Sequence, residues 1–374
     1  MGDNRMQERL VKEFCHLVSI DAPSFGERQM ADYLKKRLTE LGFTVTEDEA
    51  GSRYGGNCGN LYASRKGELP GEPLLFSMHM DTVEPSKGKK AAVMENGHII
   101  SGGDTVLGAD DMAGTAAYLE ALEQIREEGI PCRSLELLLS IGEEQHLRGS
   151  AAFDFSMVRA REGYTLDLSA DVGTAAVRAP SLAEFRVQIH GKSAHAGFAP
   201  EEGVHAITVA ARAVASLEQG HTGSGLTVNV GSIHGGGATN IVPDFCEVKG
   251  EVRGFCHQEV LTQLEKIHRV FEKEGKAAGA VICYETEICY HAYETEREHP
   301  AVKRFERACL AAGVNPVLTE TFGGSDQNHL AAHGIRGAVL ASAMYRCHTC
   351  EEYTDAAEMC KVSRIVKNIM CDPE

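Results

Sequence analysis

The sequence predicts an α/β fold, a three-layer α/β/α domain into which a smaller α+β domain is inserted. Three observations predict it. Helix-period and strand-period segments alternate through residues 1–179 and again through 294–374, and runs such as LELLLSI (Leu135 to Ile141) are of the apolar kind usually buried on both faces, which suggests a sheet sandwiched between helices. Residues 180–293 read instead as β-α-β-β-α-β, the order of a ferredoxin-like split unit. The length of 374 residues also exceeds what one compact core usually holds.

The elements follow in order. Met6, Leu10, Phe14 and Leu17, with Val11 and Val18, share one face of a helix over 5–19. A second helix spans 27–41 and stops at Gly42, a C-cap residue. Strand-like runs begin at Phe43 (FTVTED), Asn60 (NLYAS) and Pro73 (PLLFSMH). A long helix follows Asp110 and ends near Gly129, before the strands LELLLSI and YTLDL (Tyr164 to Leu168). In the insert, EFRVQIHG, GLTVNVGSI, FCEVKGEVRGF and AVICYETEICYHAY read as strands, with helices over 204–217 and 259–275. After residue 294 the alternation resumes through HPAVKRFERACLAAG, NPVLTE and GIRGAVLA to a final helix. Short glycine runs at 55–56, 235–237 and 323–324 read as turns or close-approach loops.

Bulk composition excludes several classes. Apolar residues at 43% and charged residues at 24% are an ordinary globular balance. No stretch approaches the ~20 apolar residues of a membrane span, and MGDNRMQERLVKEF lacks the apolar core of a signal peptide. A cytoplasmic protein is the expectation. A net charge of −17 argues against nucleic acid or an anionic membrane as partner, since both need a basic field. The 12 cysteines are scattered singly apart from Cys347 and Cys350, so reduced thiols are expected rather than a disulfide framework.

Metal-capable side chains fall at the ends of the expected core strands. His79 ends PLLFSMH, Glu143 and Glu144 follow LELLLSI, Asp167 lies in YTLDL, and Asp110 precedes the long helix. Open α/β sheets bind ligands beyond the carboxyl ends of their strands, so these groups can converge. Joined by the late His348, they form a mixed nitrogen and oxygen set suited to two divalent ions, Zn²⁺ first and Co²⁺ or Mn²⁺ as alternatives. Each residue also has a plainer reading. A lone strand-end histidine is usually structural, Asp110-Asp111 can cap a helix, and Glu143-Glu144 can be a solvated turn. Asp167 within an apolar strand is harder to set aside, because a buried carboxylate is costly unless paired or metal-bound. These plain readings are independent, so their conjunction favours the metal site.

The ordered motifs HMDTV (from His79), LGADDMAG (from Leu107), IGEEQ (from Ile141), SAHAG (from Ser193), GGSD (from Gly323) and CHTCEEY (from Cys347) resemble those of a dizinc metallopeptidase family. That family comprises peptidase T, the glutamate-releasing carboxypeptidases, acetylornithine deacetylase and aminoacylase. YTLDLSADVG and AHAGFAPEEGVHAI are most similar to the peptidase T-like branch. The resemblance implies that Asp110 bridges both ions, that His79 and Asp167 complete one site, and that Glu144 and His348 complete the other. Asp81 would orient the His79 ring, Glu143 would be the general base, and the Asp110–Asp111 peptide would be cis. The insert would serve as a lid and dimerisation domain. Its His195 would stabilise an oxyanion, while Arg253 and Asn240 would hold the substrate's carboxylate or backbone.

The function implied is an exopeptidase acting on short peptides, with an N-acyl-amino-acid deacylase as the alternative on the same scaffold. A homodimer through the insert is the implied assembly. Two motifs carry a second reading. Cys347 and Cys350 form a C-x-x-C around His348 but lack the second pair of a zinc knuckle, so they read as packing thiols. Ser325 in GGSD lacks the G-x-S-x-G of a nucleophile elbow and reads as structural support.

Overall fold

A computed structural model describes residues 2–223 and 225–374; Met1 and Ser224 lie outside the described residues. In chain order the helices are α1 (Gly2–Val18), α2 (Arg28–Glu40), α3 (Ala109–Glu128), α4 (Arg148–Ala152), α5 (Ala206–Ala215), α6 (His257–Ala278), α7 (Pro300–Ala311), α8 (Gln327–Ala332) and α9 (Ala356–Cys371). The strands of the first part are β1 (Thr44–Glu47), β2 (Leu61–Arg65), β3 (Leu74–His79), β4 (Ala91–Val93), β5 (His98–Ser101), β6 (Leu135–Ser140), β7 (Glu162–Leu168) and β8 (Thr174–Ala179). There follow β9 (Ser181–His190), β10 (Gly220–His221), β11 (Leu226–Gly235), β12 (Phe245–Gly254), β13 (Val281–Tyr290) and β14 (Tyr293–Glu294). The last strands are β15 (Val317–Glu320), β16 (Arg336–Ala341), β17 (Met344–Tyr345) and β18 (Tyr353–Asp355).

The chain forms two compact units. One runs to Arg178 and resumes over Glu294–Glu374; the other is Ala179–Tyr293, which starts one residue before the boundary expected from sequence.

The first unit is built on a mixed sheet in the order β1-β2-β6-β3-β7-β16-β8-β14, with β15 beside β8. At its centre β6, β3 and β7 run parallel. Every residue of β3 and of β6 is buried, which explains why both strands are mostly apolar rather than alternating. The pleat divides those residues between two cores. Leu74, Phe76 and Met78 join the large core of α1, α2, α3, α7 and α9. Leu75 joins a smaller one with Leu138, Phe153, Phe155, Leu330 and Ile335 on the opposite face. Helices therefore layer both faces, thinly on the second. α3 is buried on all sides from Ala109 to Ile125, and small residues let it approach the sheet. A Cβ on Gly114 would lie 2.6 Å from the Leu166 carbonyl oxygen. A separate small sheet, β17-β18-β5-β4, carries the loop between β17 and β18.

The second unit is an antiparallel sheet in the order β10-β11-β12-β9-β13. Without the short β10, this is the strand arrangement of a ferredoxin-like fold, and the element order matches. Alternate residues of β9, such as Phe185, Val187 and Ile189, pack under α5 and α6. The opposite face is polar, with Arg186 paired to Glu247.

Candidate metal centre

Three neighbouring parallel strands deliver the site of the first unit. His79 is the last residue of β3, Glu143 and Glu144 follow β6, and Asp167 is next to last in β7. Asp110 enters at the start of α3, whose first turn departs from helical geometry, and the Asp110–Asp111 peptide is cis. His348 comes from the β17–β18 loop, where its backbone is left-handed at φ 64°.

These groups converge on Asp110. His79 Nε2 lies 2.9 Å from Asp110 Oδ1 and 3.9 Å from Asp167 Oδ1. His348 Nε2 lies 3.4 Å from Asp110 Oδ2 and 3.1 Å from Glu144 Oε2. The two oxygens of one carboxylate thus face two different imidazoles. His79, Asp110 and Glu144 offer ligand atoms within 4.8 Å of one another, and so do His79, Glu143 and Asp167.

The ring of His79 is oriented by its neighbour. Its Nδ1 is 3.0 Å from the Asp81 carbonyl oxygen, which can only accept, so Nδ1–H donates and Nε2 is left to face Asp110. The Asp81 carboxylate is farther from the ring, at 3.5 Å. It accepts instead from the Glu143 and Glu144 backbone N–H groups at 3.0 and 3.3 Å, and from the Ser24 hydroxyl at 2.7 Å. Asp81 therefore holds the strand end that carries Glu143.

The electrostatics call for cations. Burial pushes the carboxyls of Asp111, Glu143 and Asp167 well above the ordinary range, and neighbouring carboxylates add to the shift. Burial opposes charge on His79 too, yet Asp110 and Asp81 raise its pKa well above the usual value. The carboxylates of Asp110 and Glu144 push His348 up to about 10. Asp111 Oδ1 and Glu144 Oε1 are buried without hydrogen-bond partners. An excess of buried carboxylate, with oxygens left unsatisfied beside imidazole nitrogens, fits divalent cations.

Sequence reasoning missed several residues that hold this centre. Glu352, 2% exposed, accepts from the backbone N–H of Gly108 at 2.6 Å and of Asp110 at 2.9 Å. Glu27 is buried and accepts from the N–H of Gly142 at 2.9 Å and of Phe25 at 2.8 Å. Ser24 reaches Asp81 from the same loop. The only signal was the placement of Glu352 in CHTCEEY; nothing marked Ser24 or Glu27.

The remaining expected residues lie in the second unit. His195 and Asn240 share one loop cluster, joined by the Ala196 N–H donating to the Asn240 carbonyl at 3.0 Å. His195 Nδ1 accepts from the backbone N–H groups of Gly197 and Phe198, which leaves its proton on Nε2. Arg253, on β12, donates through Nε to Glu251 at 2.8 Å. Near His348, Cys347 is half-buried with its thiol pushed up by burial, and Cys350 is exposed; both are free thiols.

Comparison with known proteins agrees along the whole chain. Residues 178–278 match the model described as Peptidase dimerisation domain, and residues 60–167 match that of Peptidase family M28. YqjE of Bacillus subtilis (strain 168) is 36% identical, covering 97% of this chain and 98% of that one. The aminopeptidase PepT from Bacillus cereus is similar in structure at TM-score 0.89, with 37% identity over 97% of this chain and 98% of that one. A tripeptidase from Staphylococcus aureus is similar at TM-score 0.93, with 33% identity over 98% of each chain.

Proposed function

Because the chain belongs to the M20 metallopeptidase family, in its peptidase T-like branch, we infer that it is a metal-dependent exopeptidase of short peptides. The observation that carries this reading is the Asp110 carboxylate set between two imidazoles, with Glu143 buried beside it. The residue released is the amino-terminal one. Support comes from the relatives, described as an aminopeptidase and a tripeptidase.

His79, Asp110 and Asp167 would hold one ion, and Asp110, Glu144 and His348 the other. Zn²⁺ suits this nitrogen and oxygen set, with Co²⁺ or Mn²⁺ as alternatives. Such ions, when bound, supply the positive charge that acidifies a water molecule and polarises the scissile carbonyl. Glu143 takes the proton from the attacking water and hands it to the departing amine, a task suited to a carboxylate whose basicity burial has raised. Asp81 keeps Glu143 in place through the backbone. By the motif resemblance, His195 would be the oxyanion donor, and Arg253 and Asn240 would be the groups that hold the far end of the peptide. The match to a peptidase dimerisation domain supports a homodimer formed through the inserted unit.

The test is a substrate panel. Zinc- or cobalt-loaded protein is offered free tripeptides, amino-terminally blocked tripeptides and N-acyl amino acids. Free tripeptides should be cleaved and the blocked forms left intact. Cleavage of N-acyl amino acids alone would overturn the peptidase reading in favour of a deacylase. Light scattering of the purified protein checks the dimer, and a monomer would overturn it.

A further inference from the structure

Asp326 is a buried carboxylate with no task in the mechanism above. It is 1% exposed and occupies the N-cap position of α8. An aspartate there ordinarily accepts from the first N–H groups of its helix, but Asp326 makes no such bond. Its Oδ2 turns to the sheet instead. It accepts from the Ser140 hydroxyl at 2.5 Å and from the Ser77 hydroxyl at 3.4 Å. Ser140 ends β6, three residues before Glu143, and Ser77 lies on β3, two residues before His79. The other oxygen, Oδ1, is buried without a hydrogen-bond partner. No ion pair reaches Asp326 among the described residues. Serine hydroxyls alone are poor compensation for a buried carboxylate, so a packing role would be better served by a neutral side chain. Glu143 and Asp167 also feel its charge, after burial and nearer carboxylates.

We propose that Asp326 is a positioning residue of the metal centre. It ties the ends of β3 and β6 together through Ser77 and Ser140, and it adds a buried negative charge that bound cations, rather than the chain, compensate. This inference rests on the metal-centre reading of the first unit.

The test uses Asp326→Asn, which keeps the shape and removes the charge. Two quantities are measured, the thermal unfolding of metal-free protein and the zinc dissociation constant by competition with a chromophoric chelator. Metal-free Asp326→Asn should unfold at or above the wild-type temperature while binding zinc about tenfold more weakly. A merely structural carboxylate would give the opposite pattern, lower metal-free stability with zinc binding unchanged, and that result would overturn the proposal. If the variant fails to fold, Ser140→Ala decides, since it removes the 2.5 Å bond and keeps the charge. Weakened zinc binding by a folded Ser140→Ala protein supports the tie; wild-type binding overturns it. A wild-type protein that binds no zinc overturns the metal-centre reading itself, an outcome distinct from a variant that binds as the wild type does.

Discussion

Replacing Glu352 by glutamine tests how Asp110 is held between its two imidazoles. The carboxylate accepts one backbone N–H on each oxygen, from Gly108 at 2.6 Å and from Asp110 at 2.9 Å. Glutamine keeps one acceptor oxygen and turns an amide –NH₂ toward the other N–H. A buried donor left facing a donor costs about 1–3 kcal/mol. Part of that is offset, because the substitution also removes a carboxylate whose burial has pushed its pKa up to about 7. The net loss should be about 1–2 kcal/mol, and it falls on the loop that presents Asp110. Since ~1.4 kcal/mol is a factor of ten in affinity, zinc should bind roughly tenfold more weakly. Glu352→Ala, which strands both N–H groups, should cost more than glutamine. Chelator-competition titration reads the affinity and calorimetry reads the unfolding temperature. If Glu352→Gln binds zinc as the wild type does and Glu352→Ala is no worse, the amide clamp does not set the position of Asp110.

Other expected outcomes bear on the same centre and its scaffold. Glu143→Gln should lower kcat by about 10²–10⁴ while metal content, measured by elemental analysis, stays at the wild-type level; full activity would remove Glu143 from the role of base. Prolonged EDTA treatment should abolish tripeptide hydrolysis with the circular dichroism spectrum retained, and zinc should restore it; activity that survives chelation counts against a metal-dependent reaction. In the sheet, Gly337 of β16 pairs with Gly163 of β7, and a Cβ on it would lie 1.6 Å from the Gly163 carbonyl oxygen. Gly337→Ala should therefore destabilise by about 3 kcal/mol or more, seen as a lowered urea midpoint; an unchanged midpoint would mean the two strands can part without cost.

What was legible in the sequence depended on how local each signal is. Each apolar run that became β3 or β6 lies within a few residues of the groups at its end, so strand-end placement brought His79, Glu143 and Glu144 forward as candidates, though only their conjunction favoured a metal site. The ferredoxin-like order of the insert was equally readable, because its four main strands, β9, β11, β12 and β13, are 10 residues each and long enough to alternate, whereas the two-residue β10 left no pattern. The small sheet of β4, β5, β17 and β18 was not expected, since strands as short as Met344–Tyr345 carry no pattern. The clamps that hold the site were invisible for another reason. Glu352 acts on Asp110 across 242 positions and Glu27 on Gly142 across 115, through backbone amides that any residue possesses. Asp81 shows the same limit at short range. Two residues from His79, it was expected to orient the ring; its carbonyl lies 3.0 Å and its carboxylate 3.5 Å from the ring's Nδ1, and what the sequence did not show is that the same carboxylate also holds the next strand's end.

The sheet order has one more consequence, in time rather than in space. β16 lies between β7 and β8, although the whole inserted unit separates it from both in sequence. A ribosome that has completed β8 must still synthesise the second unit, α7, β15 and α8 before the missing strand emerges, and His348 and Glu352 come later still. At ordinary rates of synthesis that interval is of the order of ten seconds or more. Throughout it the nascent chain has its early carboxylates but neither the strand that closes the sheet nor the histidine that faces Asp110. A peptidase made in this order lacks a complete set of candidate metal ligands until it is almost wholly made.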